Sequence, residues 1–359
     1  MSFRTHVAVP LVLSLVIAPA ACAQGSRAAG DSVTAQRVTS LLGMLADDSL
    51  KGRATGSLGG AAAARIIASE LARAGLQPAG DSGFFQRVPV IWRDTQVTRN
   101  NQVRSVRLLR NLPDLAGRDT VAAANRTAAQ AVNVVGILPG SDPALQGEVV
   151  VIDAHYDHLG PAQTPVNGDS IYNGADDDAS GVVAVLEVAR LLAHSPQRPR
   201  RTMVFLLTTG EERGLLGTNW YIAHPVRPLE RTVANLEIEM IGRPDSLAGG
   251  PGKAWLTGYD RSSMGRMLRD NGIPLVADPR PQEDFFERSD NIAFALRGIP
   301  AHTVSSFNLH SDYHRVTDEV RLVDTAHMAA VINAIARASR LLADGPAPQW
   351  APNGRPVAR

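Results

Sequence analysis

The sequence predicts an α/β protein, doubly wound as a three-layer α/β/α sandwich around a mixed, mostly parallel central sheet. Two observations predict it. From Ala131 onward, short unbroken apolar runs alternate with helical stretches, the pattern of strands buried on both faces and joined by crossover helices. Histidines and carboxylates then fall just after those runs, where open α/β sheets bind their ligands.

The chain of 359 residues opens with a leader: Arg4 and His6 precede the apolar run Val7 to Ala21. That run is shorter than the roughly 20 residues a membrane-spanning helix needs. It ends in Ala21-Cys22-Ala23, a small-x-small pattern, so residues 1–23 are expected to be a signal peptide and the protein exported to a periplasmic or extracellular location. Cys22, the single cysteine, also occupies the place of a lipid-modified residue, so soluble export and anchoring in the cell envelope both stay open, with membrane contact only if Cys22 is lipidated. One cysteine excludes an intramolecular disulfide. Charge is balanced, 36 basic against 35 acidic residues, without a basic block that would suit nucleic acid.

One catalytic domain is expected over 31–344, a lead-in over 31–130 and a core over 131–344. In the lead-in, Asp31 or Ser32 is expected to cap a helix through Val38, Leu41, Leu42 and Leu45. After a Gly- and Arg-rich loop, a helix spans about 60–74, with Gly75 closing it. Phe84 to Ile91 is a strand, and Val103 to Leu109 an edge strand within a less regular stretch. The core strands are Val132–Leu138, Glu148–Ala154, Thr202–Thr208, Ala234–Ile241, a short one near Leu256 and Ile299–Ser305. Helices fill Val182–Leu192, Met264–Asp270 and Thr325–Leu342. The tail 345–359, with four prolines, is expected to be flexible.

The most informative stretch is Gly174 to Gly181, where Asp176, Asp177 and Asp178 sit side by side at the mouth of an apolar helix. Alone, such a run is either a solvated helix cap or a cation site. His155, Asp157 and His158 follow one strand, Glu211 and Glu212 another; Glu237 and Glu239 lie two apart on a third, and Asp312-Tyr313-His314 follows the last. That convergence favours a metal site. Imidazole and carboxylate donors suit zinc, and a pair of zinc ions needs a bridging carboxylate, which one of the three aspartates can supply. Of the adjacent Glu211 and Glu212, one can bind metal while the other faces water as a general base. No Gly-x-Ser-x-Gly elbow surrounds Ser180, which excludes that serine-hydrolase signature.

Together, His155-Tyr-Asp157-His158-Leu-Gly, the Gly174–Gly181 box, Glu211-Glu212-Arg-Gly-Leu-Leu-Gly217, Glu239-Met-Ile-Gly-Arg243 and Asp312-Tyr-His314 resemble the co-catalytic di-zinc aminopeptidases. That superfamily includes secreted bacterial leucyl aminopeptidases, glutamate carboxypeptidases and glutaminyl cyclases. The similarity runs from about Val38 to Leu342, and Leu50-Lys-Gly-Arg53-Ala-Thr-Gly56 matches the opening segment of many members. The resemblance implies two zinc ions, with His155 and Glu239 on the first, Glu212 and His314 on the second, and Asp177 bridging. It implies Glu211 as general base and Asp157 as the support of the His155–Asp177 region, beside a strained peptide bond. Asp178 is expected near the substrate's α-amino group and Tyr313 as a donor to the oxyanion or as packing. Family members usually carry Asp where this chain has Glu239, and Glu237 remains an alternative ligand.

The implied activity is exported, zinc-dependent removal of N-terminal residues from peptides. A single-zinc glutaminyl cyclase-like acyltransferase, a carboxypeptidase or dipeptidase, and a non-catalytic binding protein are the alternatives. Phe285, Phe286 and Phe294 are candidates for the substrate pocket or for the core. His158, His302 and His310 are expected to support the site rather than ligate, Asp290 likewise, and His194, His224 and His327 to lie at the surface.

Overall fold

The computed structural model describes residues 1–2, 32–99, 102–111 and 131–357. The expected signal peptide with Cys22, the candidate cap Asp31, and residues 112–130 of the lead-in lie outside the described residues. Helix α1 (Ala35–Leu45) starts later than expected, because Thr34 rather than Ser32 accepts a hydrogen bond from the Arg37 N–H and so satisfies a free helix donor. Its Val38, Leu41, Leu42 and Leu45 are buried at helical spacing. Helix α2 (Leu58–Arg73) is capped by Ser57, and Gly75 follows in the left-handed conformation.

Strands β1 (Gln77–Pro78), β2 (Phe85–Arg87), β3 (Val90–Arg99) and β4 (Gln102–Asn111) come next. The single strand expected from Phe84 to Ile91 is thus two, broken at Pro89, which has no N–H for a ladder. β4 pairs only with β3, so the Val103–Leu109 segment belongs to a separate hairpin and not to the edge of the main sheet. The core follows as β5 (Val132–Leu138), β6 (Val149–His155), β7 (Gly160–Val166), β8 (Asp169–Tyr172), α3 (Ala179–Ala193), β9 (Thr202–Thr208), α4 (Leu216–Ala223) and β10 (Thr232–Ile238). It continues with β11 (Ala254–Leu256), α5 (Ser263–Asp270), β12 (Leu275–Ala277), α6 (Asn291–Leu296), β13 (Ala301–Ser305) and α7 (Thr325–Asp344).

The main sheet runs β1-β5-β9-β6-β10-β13-β11-β12, with β2 also on β5. β9, β6, β10 and β13 are mutually parallel; β5 against β9 and β11 against β13 are antiparallel. Each central strand is buried along its whole length and feeds two cores by alternation. Val150, Ile152 and Ala154 join the cluster under α1, α2, α3 and α7, while Val149 and Val151 face α4 and α6. This is the predicted three-layer sandwich. Among the described residues no helix is long and apolar enough to cross a membrane.

The tail departs from expectation. Trp350 Nε1–H donates to the Gly298 carbonyl at 2.9 Å, and the Ala351 N–H donates to the Arg261 carbonyl at 2.8 Å, so residues 349–354 are pinned to the body by backbone pairing and an indole. His327 is likewise buried, not a surface residue: its Nδ1 accepts the Gly252 N–H and its Nε2 meets Ser306 Oγ. His194 and His224 are exposed as expected.

Candidate metal centre

The parallel strands point their C-terminal ends to one edge, and every candidate ligand lies there. His155 is the last residue of β6, Glu211 and Glu212 follow β9, Glu239 follows β10, and His314 lies in the loop after β13. Asp177 sits in the turn that enters α3, next to a cis peptide bond between Asp177 and Asp178. Two groups of donor atoms form there, each within 4.8 Å: His155, Asp177 and Glu239, and His158, Asp177 and Glu212. Asp177 is common to both. His155 Nε2 lies 3.3 Å from Asp177 Oδ1, while His314 Nε2 lies 3.1 Å from Asp177 Oδ2 and 3.3 Å from Glu212 Oε1. His158 Nδ1 is 2.8 Å from the same Glu212 oxygen.

The supports around these residues explain the sequence motifs. The His155 Nδ1 faces the Asp157 carbonyl at 3.1 Å, which leaves Nε2 turned to Asp177. The Asp157 carboxylate accepts from Thr55 Oγ1 at 2.7 Å and from the Glu211 N–H at 3.2 Å, tying the two loops together. The neighbours of Asp177 are engaged elsewhere, apart from Asp178 Oδ2, which has no hydrogen-bond partner among the described residues. Asp178 accepts from the N–H groups of Gly181 and Met240, and Asp176 accepts from the Gly242 N–H and meets His310 Nε2 at 2.9 Å. The helix-cap reading of the acidic run therefore holds for Asp178, which caps α3, whereas Asp177 is shared by the two donor groups. Gly174 has a positive φ, and a Cβ there would overlap the Asp177 carbonyl oxygen. Asp318 accepts the N–H groups of both Asp176 and Asp177, and Arg243 pairs with Asp312 at 2.7 Å, fixing the loop that carries His314.

Arg53, buried and without an ion pair among the described residues, explains the lead-in motif. It donates to the carbonyls of Leu45, Tyr156, Asn173 and Gly174, clamping the floor beneath the acidic turn. Burial pushes its pKa down, while the charges of Asp177 and Asp318 push it up. Arg53→Met is expected to leave those acceptors unsatisfied and lower the unfolding free energy by on the order of 3 kcal/mol, measured by denaturant titration of the metal-free chain.

Glu237 has a different task from Glu239. It accepts from Ser289 Oγ, from the Asp290 and Asn291 N–H groups and from Thr303 Oγ1, which satisfies both oxygens and anchors α6 to the sheet. Glu239 stands with His155 and Asp177 instead. Asp290 accepts from Thr208 Oγ1 at 2.6 Å. His302 is buried between the Thr257 carbonyl and Ser262 Oγ, away from the donor groups. His158 is the surprise: expected to be a support, it stands inside the second donor group. The only sequence signal for it was its place three residues after His155.

Burial and neighbouring charges move the donors in opposite directions. Burial raises Glu211 well above the usual carboxylate range, aided by Glu239 and Asp290, and Glu239 is pushed up to about 8 by burial and the charge of Glu237. Burial opposes ionisation of Asp177 too, but His158, His155 and His314 outweigh it and hold it well below its ordinary value. His314 is lifted to about 10 against the effect of burial by hydrogen bonds to Asp177 and Glu212. The donor set fits a metal on a second count. His155 Nε2 and His158 Nδ1 are buried against carboxylates, 3.3 Å from Asp177 and 2.8 Å from Glu212, without the alignment of a hydrogen bond, a cost that ligation would remove.

A cleft opens beside these groups. Glu211, Glu239 and Asp177 line its floor, and Trp255, Phe285, Phe307 and Tyr313 its walls. Tyr313 stacks on His314 with ring centroids 3.9 Å apart, and burial pushes its phenol up, so it remains a donor. Of the three phenylalanines considered, only Phe285 lines the cleft. Phe286 and Phe294 belong to the core under α4 and α6.

Ligand-type residues gathered at the strand ends of an α/β/α sandwich, with an un-ligated carboxylate beside them, define a metal-dependent hydrolase. The match to the peptidase family M28 model covers residues 133–339, and the chain belongs to that family of metallopeptidases. It is similar to a vacuolar membrane protease of Lachancea thermotolerans, 27% identical over 209 residues, which are 56% of this chain and 19% of that protein. It is also similar to a probable leucine aminopeptidase 2 of Aspergillus oryzae, 31% identical over 176 residues, covering 47% of this chain and 32% of that one. The chain thus spans about a fifth of the length of the vacuolar proteases it matches. In fold it is similar to a zinc aminopeptidase from Bacillus subtilis, with a TM-score of 0.62, 15% identity, and coverage of 88% of this chain and 96% of that one. These relatives correct one expectation. Several are vacuolar membrane proteases of fungi, which contradicts the periplasmic or extracellular destination inferred from the leader, and that destination is withdrawn.

Proposed function

We propose that this metallopeptidase is an aminopeptidase that binds two zinc ions and hydrolyses the N-terminal peptide bond of its substrates. The observation that carries the reading is the sharing of Asp177 by two donor groups, with Glu211 beside them and in neither. His155, Glu239 and Asp177 would hold one zinc; Glu212 and Asp177, with His314, would hold the other, and His158 stands close enough to join them. Bound zinc supplies Lewis-acid polarisation of a carbonyl and acidifies a water. Glu211 then takes the proton of the attacking water and returns it to the leaving amine. Its raised pKa suits that exchange, since a base works best with a pKa near the working pH. Tyr313, protonated at the cleft wall, donates to the developing oxyanion. The acidic floor attracts the free α-amino group of the substrate. Asp178 makes no direct contact there, its Oδ1 being held by backbone.

The shared aspartate favours this reading over a single-zinc acyltransferase. The test is hydrolysis of aminoacyl-anilides against N-blocked peptides, with and without a chelator. Free N-termini are expected to be cleaved, chelation to abolish cleavage and zinc to restore it. Equal cleavage of blocked peptides would exclude an aminopeptidase. Glu239→Asp, which restores the residue usual in the family, is expected to retain two zinc ions per chain by metal analysis and to change kcat/KM by no more than about tenfold, since only one methylene is removed from a flexible arm.

A further inference from the structure

The lining of the cleft carries charges of both signs. Its floor is acidic, with Asp177, Glu211 and Glu239, whereas Arg288 is the one arginine or lysine that lines it among the described residues. Arg288 is exposed, and no carboxylate lies within ion-pair distance of it among the described residues. Its guanidinium rests 4.9 Å from the Phe285 ring centroid, and that ring stacks on Trp255 at 5.1 Å. The cation is therefore held over an aromatic wall and keeps its N–H donors free. Trp255 adds a second free donor: it is 1% exposed, and its buried Nε1–H has no acceptor. Three other polar groups of the wall, Thr257, Thr303 and Ser305, are already engaged. Thr257 Oγ1 accepts from the Thr303 N–H, Thr303 Oγ1 donates to Glu237, and Ser305 Oγ donates to the Met240 carbonyl. What remains for a ligand is an apolar slot with unspent donors and a positive rim.

We propose that Arg288, supported by Trp255, is a specificity residue of this cleft that selects substrates carrying a carboxylate beyond their N-terminal amine. This rests on the aminopeptidase reading above. The carboxylate is either the side chain of an acidic first residue or the C-terminus of a dipeptide. In both cases the amine meets the acidic floor and the carboxylate the guanidinium, a charge-assisted contact that an isosteric amide cannot replace.

The experiment compares each acid with its amide on the zinc-loaded full chain. One arm pairs glutamyl- with glutaminyl-anilide, the other leucyl-leucine with leucyl-leucinamide, and leucyl-anilide serves as the neutral control. In at least one arm the acid is expected to be preferred in kcat/KM, and Arg288→Gln to lower the acid's kcat/KM by about 10–100-fold while leaving leucyl-anilide within about threefold. Arg288→Lys should recover part of the loss. Calorimetric titration with glutamate against glutamine gives a readout independent of turnover: weaker glutamate binding in Arg288→Gln supports a side-chain carboxylate. Preference confined to the dipeptide arm assigns the carboxylate to the C-terminus. Equal treatment of acid and amide in both arms, or an Arg288→Gln loss that is the same for all substrates, overturns the inference. If acid and amide are treated alike while leucyl-anilide is still cleaved in a chelator-sensitive way, only this inference falls; if no substrate is cleaved, the proposed function falls with it.

Discussion

Glu211→Gln is expected to lower kcat/KM toward N-terminal peptide substrates by about 10²–10⁴-fold, the usual contribution of a positioned general base, while zinc content stays that of the parent. The two halves of this expectation have separate causes. Glutamine keeps the shape of the side chain but has no oxygen that can take a proton from water. Metal content is preserved because Glu211 belongs to neither donor group around Asp177. The loop is also held independently of this carboxylate, since the Glu211 N–H donates to Asp157. A pH profile adds a second check. Burial raises the Glu211 pKa, so the active, deprotonated form is lost on acidification at a higher pH than for an ordinary glutamate. Parent kcat/KM should therefore fall on the acid side, and the residual activity of Glu211→Gln should lack that limb. Parent-like turnover in the variant, with normal zinc, would remove Glu211 from the mechanism and leave the ligand assignment standing.

The clustering of the candidate residues was legible because burial on both faces makes the central strands unbroken apolar runs, and a polar residue that ends such a run lies at the sheet edge. His155 after Val149–Ala154 and Glu211-Glu212 after Thr202–Thr208 follow that logic directly. The choice between Glu237 and Glu239 was not legible, because a period of two places both on one face of a strand. β10 ends at Ile238, so Glu239 turns toward His155 while Glu237 stays in the ladder and is used up by α6. His158 was missed for a related reason: no periodicity predicts where a side chain points in the irregular loop after β6. The β7–β8 hairpin escaped notice although Asn167-Gly168 supplies its turn, both in the left-handed conformation. Proline content suggested a loose tail, but one indole-to-carbonyl bond and a few backbone pairs outweigh composition. Arg53 was noticed only as part of a motif. Its reason, four carbonyls from three separate segments, is purely tertiary.

Asp177→Asn is expected to abolish activity and to reduce zinc from two per chain to less than one after dialysis, measured by atomic absorption. One substitution removes both ions because each donor group contains this residue. Substitutions elsewhere should be selective: Glu239→Ala should weaken the first site and spare the second, and Glu212→Gln the reverse. The asparagine variant tests charge and not shape. In the metal-free protein the Asp177 anion is held well below its ordinary pKa by His155, His158 and His314. Neutralising it removes the countercharge that raises His155 and His314, so their protonated forms become less favourable. Zinc binding to neutral imidazoles is thereby helped slightly, which works against the expected loss. The lost carboxylate outweighs this, since it is the one carboxylate common to both donor groups and an amide is a far weaker ligand for zinc. If Asp177→Asn still binds two zinc ions at parental affinity, Asp177 is not the bridge and the two donor groups are independent sites. If it retains one ion with peptidase activity, catalysis needs a single zinc and the second group serves the fold.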